Sequence, residues 1–208
     1  MDNRMEEKQL SHEESLKLIS SMLSKAKNSY IDRGILSMLW GSVIAVCSLI
    51  TFMQIKKVLP TFDIWWLTLG AIIPTVYLNI RQKREQKARH YDDEIFNAVW
   101  SVFGFGIGVL VVLQNIIPAE LTSRPAGIQS YFIAFYMLWY GFPTLVTGIG
   151  KNLISMTIGG IFCWVAAIVS LFTDKAADML LMAAAAIFAW LIPGILLWSK
   201  YKRSLAHV

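Results

Sequence analysis

The sequence predicts an all-α polytopic membrane protein with six transmembrane helices, paired as three antiparallel hairpins and preceded by an N-terminal amphipathic helix. Three observations predict it. Hydrophobic residues make up 56% of the 208 positions, and they are gathered into blocks too long for the core elements of a soluble domain. The blocks number six, each of roughly 20 residues, the length that crosses about 30 Å of hydrocarbon as a helix. The cations sort by side: with the N-terminus inside, 15 of the 19 Lys and Arg fall on inner segments and 4 on outer ones, as the positive-inside rule requires.

Residues 1–33 form a polar, cytoplasmic N-terminal segment, and 34–208 the transmembrane domain. Ser11 and Glu14 have the spacing of a capping box, which starts a helix over about 12–29. Leu16, Ile19, Leu23, Ala26 and Tyr30 then recur at three or four residues, a single apolar face flanked by Lys17, Lys25 and Lys27. A basic amphipathic helix ahead of a span is expected to lie along the headgroups or against the protein's own inner loops; a protein partner bound through 11–30 is the other reading. No small-residue cleavage signature follows the first apolar block, so that block is expected to be retained.

The spans are 35–53, 62–80, 98–113, 129–148, 153–172 and 179–199. Their only charge is Asp63, at the edge of the second. Short links between neighbours make antiparallel hairpins. Pro60, Pro118 and Pro125 fall in the outer loops, where helices stop. Trp65, Trp66, Trp100 and Trp198 sit at block ends and are expected to be boundary anchors.

Sliding the chain by 119 positions brings Gly41 onto Gly160 and Pro74 onto Pro193, with Arg81, Lys83 and Arg84 onto Lys200, Lys202 and Arg203. The first and third hairpins thus look like copies of one unit. Pro143-Thr144 in the middle hairpin echoes Pro74-Thr75. Each proline precedes an inner basic end by seven or eight residues and removes a backbone hydrogen bond, so Pro74, Pro143 and Pro193, with Thr144 and Tyr140, are candidates for an inner vestibule. Packing kinks are the plainer alternative. Gly41, Gly104, Gly108, Gly159 and Gly160 are candidates for close helix packing, Gly104 and Gly108 by a GxxxG step.

No ionisable group lies deep in a span, and there is no HExxH, GxSxG, phosphate loop or CxxC. No catalytic, metal or cofactor site is therefore expected. Cys47 and Cys163 lie mid-span and read as small apolar residues. The cluster His90-Tyr91-Asp92-Asp93-Glu94 matches no calcium loop and suits the first turn of a helix. The net charge of +5 is accounted for by topology, not by nucleic acid. Arg81, Lys83, Arg84, Lys200, Lys202 and Arg203 form a cytoplasmic rim suited to anionic lipid headgroups.

The phrase Glu14-Ser15-Leu16-Lys17-Leu18-Ile19-Ser20, with Tyr30 and Trp40-Gly41, resembles a family of small six-helix bacterial inner-membrane proteins with no assigned activity. That resemblance implies the bacterial inner membrane and no function. A three-hairpin chain is also the pattern of mitochondrial carriers, but here the prolines are on even helices and no acid follows them. Two functions are expected in order: a non-catalytic scaffold, sensor or regulatory component, then a small transporter or channel for a neutral or apolar solute or lipid.

Overall fold

The computed structural model describes residues 12–85, 91–116 and 131–205, with side chains for 16, 17, 20, 34–81, 95–116, 131–200 and 202. Among the described residues every element is helical. They are α1 His12–Ile55, α2 Trp66–Glu85, α3 Tyr91–Ile116, α4 Phe132–Gly150, α5 Ile154–Val169 with a 3-10 turn Ser170–Phe172, α6 Lys175–Ala186, a π-turn Ile187–Leu191, and α7 Ile192–Leu205. Five stretches are long and apolar enough to cross a membrane: Gly34–Ile55, Ile95–Ile116, Phe132–Gly150, Ile154–Phe172 and Lys175–Lys200.

The second expected span is the one that differs. Its helix starts at Trp66 rather than at residue 62 and runs on into Glu85, so its apolar part is short. Local bonds explain the late start. The Asp63 carboxylate accepts the Trp65 N–H, and the Gln54 amide donates to the carbonyls of Pro60 and Phe62, which holds 60–65 in a non-helical path beside α1. The Cys47 thiol meets the Ile64 carbonyl there, two turns below the end of α1.

The direction of each helix follows from its contacts. Gly34 lies against Gly194 and Leu197, and Gly41 against Leu191, so α1 is antiparallel to the last span. Trp100 pairs with Thr147 and Gln114 with Tyr136, which makes α3 and α4 antiparallel. Gly148 meets Thr157 while Leu138 meets Trp164, reversing α5 on α4; Gly159 meets Ala189 while Cys163 meets Ala185, reversing α6 on α5. Hence α1, α3 and α5 run the same way. The segment joining α1 to α3 must return from one end of the bundle to the other, and α2 makes that return.

Two further elements depart from expectation. The expected N-terminal helix is not a separate element: residues 12–33 continue without a break into the first span as one 44-residue helix. The sequence between Asn28 and Gly34 contains no proline, and Gly34 is tolerated inside a helix at a cost of only about 1 kcal/mol, so nothing in it forces an end. Of the expected apolar face, Leu16 is exposed, and the other four side chains lie outside the described residues. The sixth span is interrupted by the π-turn, which ends two residues before Pro193. A π-turn sends its N–H groups one residue further back, here Ile192 N–H to the Ile187 carbonyl. Under that pattern the donor for the Phe188 carbonyl would be Pro193, which has no N–H.

The core sits where α1, α4, α5, α6 and the π-turn meet, built from Ile44, Ala45, Met137, Tyr140, Cys163 and the small residues Ala185, Ala186 and Ala189. By contrast, α3 has only Phe96 buried among its described residues.

Candidate functional site: an aromatic core at the π-turn

The densest polar and aromatic chemistry among the described residues is buried around Thr144. Thr144 follows Pro143 in α4, and its hydroxyl donates to the Tyr140 carbonyl one turn back at 2.8 Å. The same oxygen accepts the indole N–H of Trp190 at 2.8 Å. Trp190 stands in the π-turn, where the widened turn carries its side chain into the bundle. Both side chains are sealed, with Thr144 at 0% and Trp190 at 3% exposure. A buried indole N–H needs such a partner, because an unmade bond costs about 1–3 kcal/mol.

Rings pack around this bond. Tyr140 lies 4.8 Å from Trp190, centroid to centroid, and Phe103 meets Trp190 edge-on at 5.7 Å. Trp100 closes the group at 6.2 Å from Trp190 and donates to the Thr147 hydroxyl at 3.2 Å. Trp100, half-buried, thus packs against the core from the block end where it was expected as a boundary anchor. The indoles of Trp139 and Trp164 donate to the carbonyls of Phe103 and Leu138, tying α4 to α3 and α5.

Glycines let the neighbouring helices reach the π-turn. A Cβ on Gly159 would stand 2.5 Å from the Phe188 carbonyl oxygen and from the Ala189 Cα; one on Gly41 would stand 2.6 Å from the Leu191 nitrogen. Gly160 lies against Leu145 on the other face of α5. These three expected packing residues do meet neighbours. Gly104 and Gly108 do not: open space surrounds both, and it is Gly106, between them, that meets the Trp139 ring. The helix turns that side of α3 to α4, so the GxxxG face points away from the bundle.

The three prolines do not share one setting. Pro143 and Pro193 are fully buried, on either side of the Thr144–Trp190 bond, whereas Pro74 is half-buried on the peripheral α2. After Pro74 the Thr75 hydroxyl donates to the Ala71 carbonyl, just as Thr144 does to Tyr140, so the echo between the Pro-Thr pairs extends to their hydrogen bonds. Two hollows lie nearby: an open groove of about 430 Å3 between α1 and α7, walled by Met38, Leu39, Ser42, Leu191 and Trp198, and one of about 170 Å3 walled by Asn152, Ser155, Leu197 and Lys200. None of the three prolines lines either.

The rim cations are described in part. Lys200 is exposed, Lys202 stands 4.3 Å over the Trp198 ring, and Lys151 stands 4.7 Å over Phe96. Arg81 is exposed and has partners within the structure. The side chains of Lys83, Arg84 and Arg203, and those of 90–94, lie outside the described residues. No group of three or more His, Cys, Asp or Glu is placed to hold a metal among the described residues. Compared with known proteins, the chain matches no family model, no curated protein and no solved structure.

Sequence reading missed Trp190, Trp139 and Trp164. Trp190 had a signal, a large amphipathic ring three residues before a mid-span proline, where a boundary anchor has no reason to stand. For Trp139 and Trp164 the sequence carries no such mark.

Proposed function

We propose that this chain is a non-catalytic membrane component, a scaffold or sensor, whose helical N-terminal arm is the part that meets other molecules. One observation carries the reading. Half of the 44-residue α1 precedes Gly34, where its apolar stretch begins, and it continues the same helix that forms part of the core. At about 1.5 Å per residue this arm extends ~33 Å past Gly34, a rigid link between whatever it contacts and the packed interior. The interior offers solutes little: the hydroxyls of Thr144 and Thr147 are engaged by indoles, and rings fill the space around them.

In this reading the chain crosses the bacterial inner membrane six times, with α2 as the sixth crossing and both termini in the cytoplasm. The cationic distribution supports that orientation, as does the return path that α2 makes. The rim from Arg81 to Arg84 and Lys200 to Arg203 then faces anionic headgroups. Photo-crosslinking from position 16 in intact cells tests the arm: a discrete protein adduct supports the reading, and lipid adducts alone overturn it.

A second reading, a small carrier or channel for a neutral or apolar solute, is favoured by the π-turn beside two buried prolines, since discontinuous helices build many transport sites. Replacing Pro143 and Pro193 by alanine separates the two. A carrier loses flux, whereas a scaffold loses stability with its adducts intact.

A further inference from the structure

The π-turn is the meeting point of three helices, and each meets it differently. From α4, Thr144 holds Trp190 by one hydrogen bond. From α5, Gly159 lies under the Phe188 carbonyl, the one whose helical donor would be Pro193. From α1, Gly41 rests on Leu191. Beyond the turn, α7 packs chiefly on α1, with Gly34 and Gly194 in backbone contact and Met38 beside Gly194. Before the turn, α6 packs on α1, α5 and α4. The last span is thus two pieces that both lie along α1, but α6 is held by α5 and α4 as well, whereas α7 rests chiefly on the half of α1 that precedes Gly41.

A helix stripped of hydrogen bonds at one level bends there more easily than elsewhere. The π-turn and Pro193 remove them at the level where Gly41 offers α1 a contact with no side chain in the way. We infer that the Ile187–Leu191 π-turn is a hinge that lets α7 follow the arm-bearing end of α1 as one unit when α1 tilts about its Gly41 contact, and that the Trp190–Thr144 hydrogen bond is the latch. This rests on the sensor reading for its purpose but not for its mechanics: a load on the arm passes through the Gly34–Gly194 contact to α7, and from there to Trp190.

The test uses the full chain in lipid nanodiscs, with Cys47 and Cys163 replaced by alanine and spin labels on cysteines introduced in pairs at Leu16, Ile95 and Lys200, all exposed. Without further change, each pair should give one narrow distance. Thr144→Val removes the latch acceptor. It should raise a second distance by about threefold or more in the Leu16–Ile95 and Lys200–Ile95 pairs, the size expected from one modest hydrogen bond. The Leu16–Lys200 distance should stay single, because both labels ride on the moving unit. Should Thr144→Val not fold, Trp190→Phe, which keeps the ring and loses the N–H, must give the same split. Unchanged distances in the folded latch variant overturn the hinge, and a split in the Leu16–Lys200 pair overturns the rigid unit. Neither result needs a partner protein, so the crosslinking that tests the sensor reading succeeds or fails independently.

Discussion

Thr144 serves two bonds with one oxygen, giving its proton to the Tyr140 carbonyl and taking that of Trp190. Thr144→Val keeps the shape and leaves a sealed indole N–H unpaired, so unfolding in mild detergent should show a loss of about 1–3 kcal/mol. Thr147→Val should cost less, because its indole partner Trp100 is only half-buried and its bond is longer. Ser48 presents the opposite case. It is fully buried, and its hydroxyl has no hydrogen-bond partner among the described residues. Ser48→Ala removes a polar atom that gains nothing where it stands, so the same unfolding measurement should show no loss and up to about 1 kcal/mol of gain.

At the scale of elements, glycine sorts by what lies opposite. Gly159→Ala and Gly41→Ala push a methyl into backbone atoms of the π-turn, which cannot move aside as a side chain can, and each should cost about 1–3 kcal/mol. Gly104→Ala and Gly108→Ala meet nothing and should change stability by less than about 1 kcal/mol. A large loss from either would show that another surface covers that face of α3. This sorting explains what the sequence could and could not convey. Apolar blocks near 20 residues long announced the spans, because hydrocarbon thickness imposes their length directly. The late start of α2 depends on how Gln54 and Asp63 bond to nearby backbone, and no hydropathy window registers that. The Gly104-Gly108 step is a valid packing signal for some face, but which face of α3 turns inward is settled by Trp139, 31 positions from Gly108. Pro193 marked a weakness in the last span, and the π form that it takes was not readable from composition.

For the molecule as a whole, the antiparallel order of contacts fixes which ends lie together. Gly34, Phe96, Lys151 and Lys200 gather at one end of the bundle, and Ile55, Gln114 and Phe172 at the other. Cysteines introduced at Leu16 and Lys200 should therefore react alike with a membrane-impermeant maleimide in intact cells, and one at Phe172 should behave oppositely. Labelling of residues 16 and 200 from opposite sides would contradict α2 as a crossing. The unbroken α1 gives this arrangement a mechanical ratio. From the Gly41 contact to His12 the helix is about 44 Å long, and to Ile55 about 21 Å. A tilt of about 10° at Gly41 sweeps the N-terminal tip through ~8 Å and the Ile55 end through half that, so a small displacement at the Ile55 end is read at the tip at twice its size. Run the other way, a force on the tip arrives at the far end of α1 doubled.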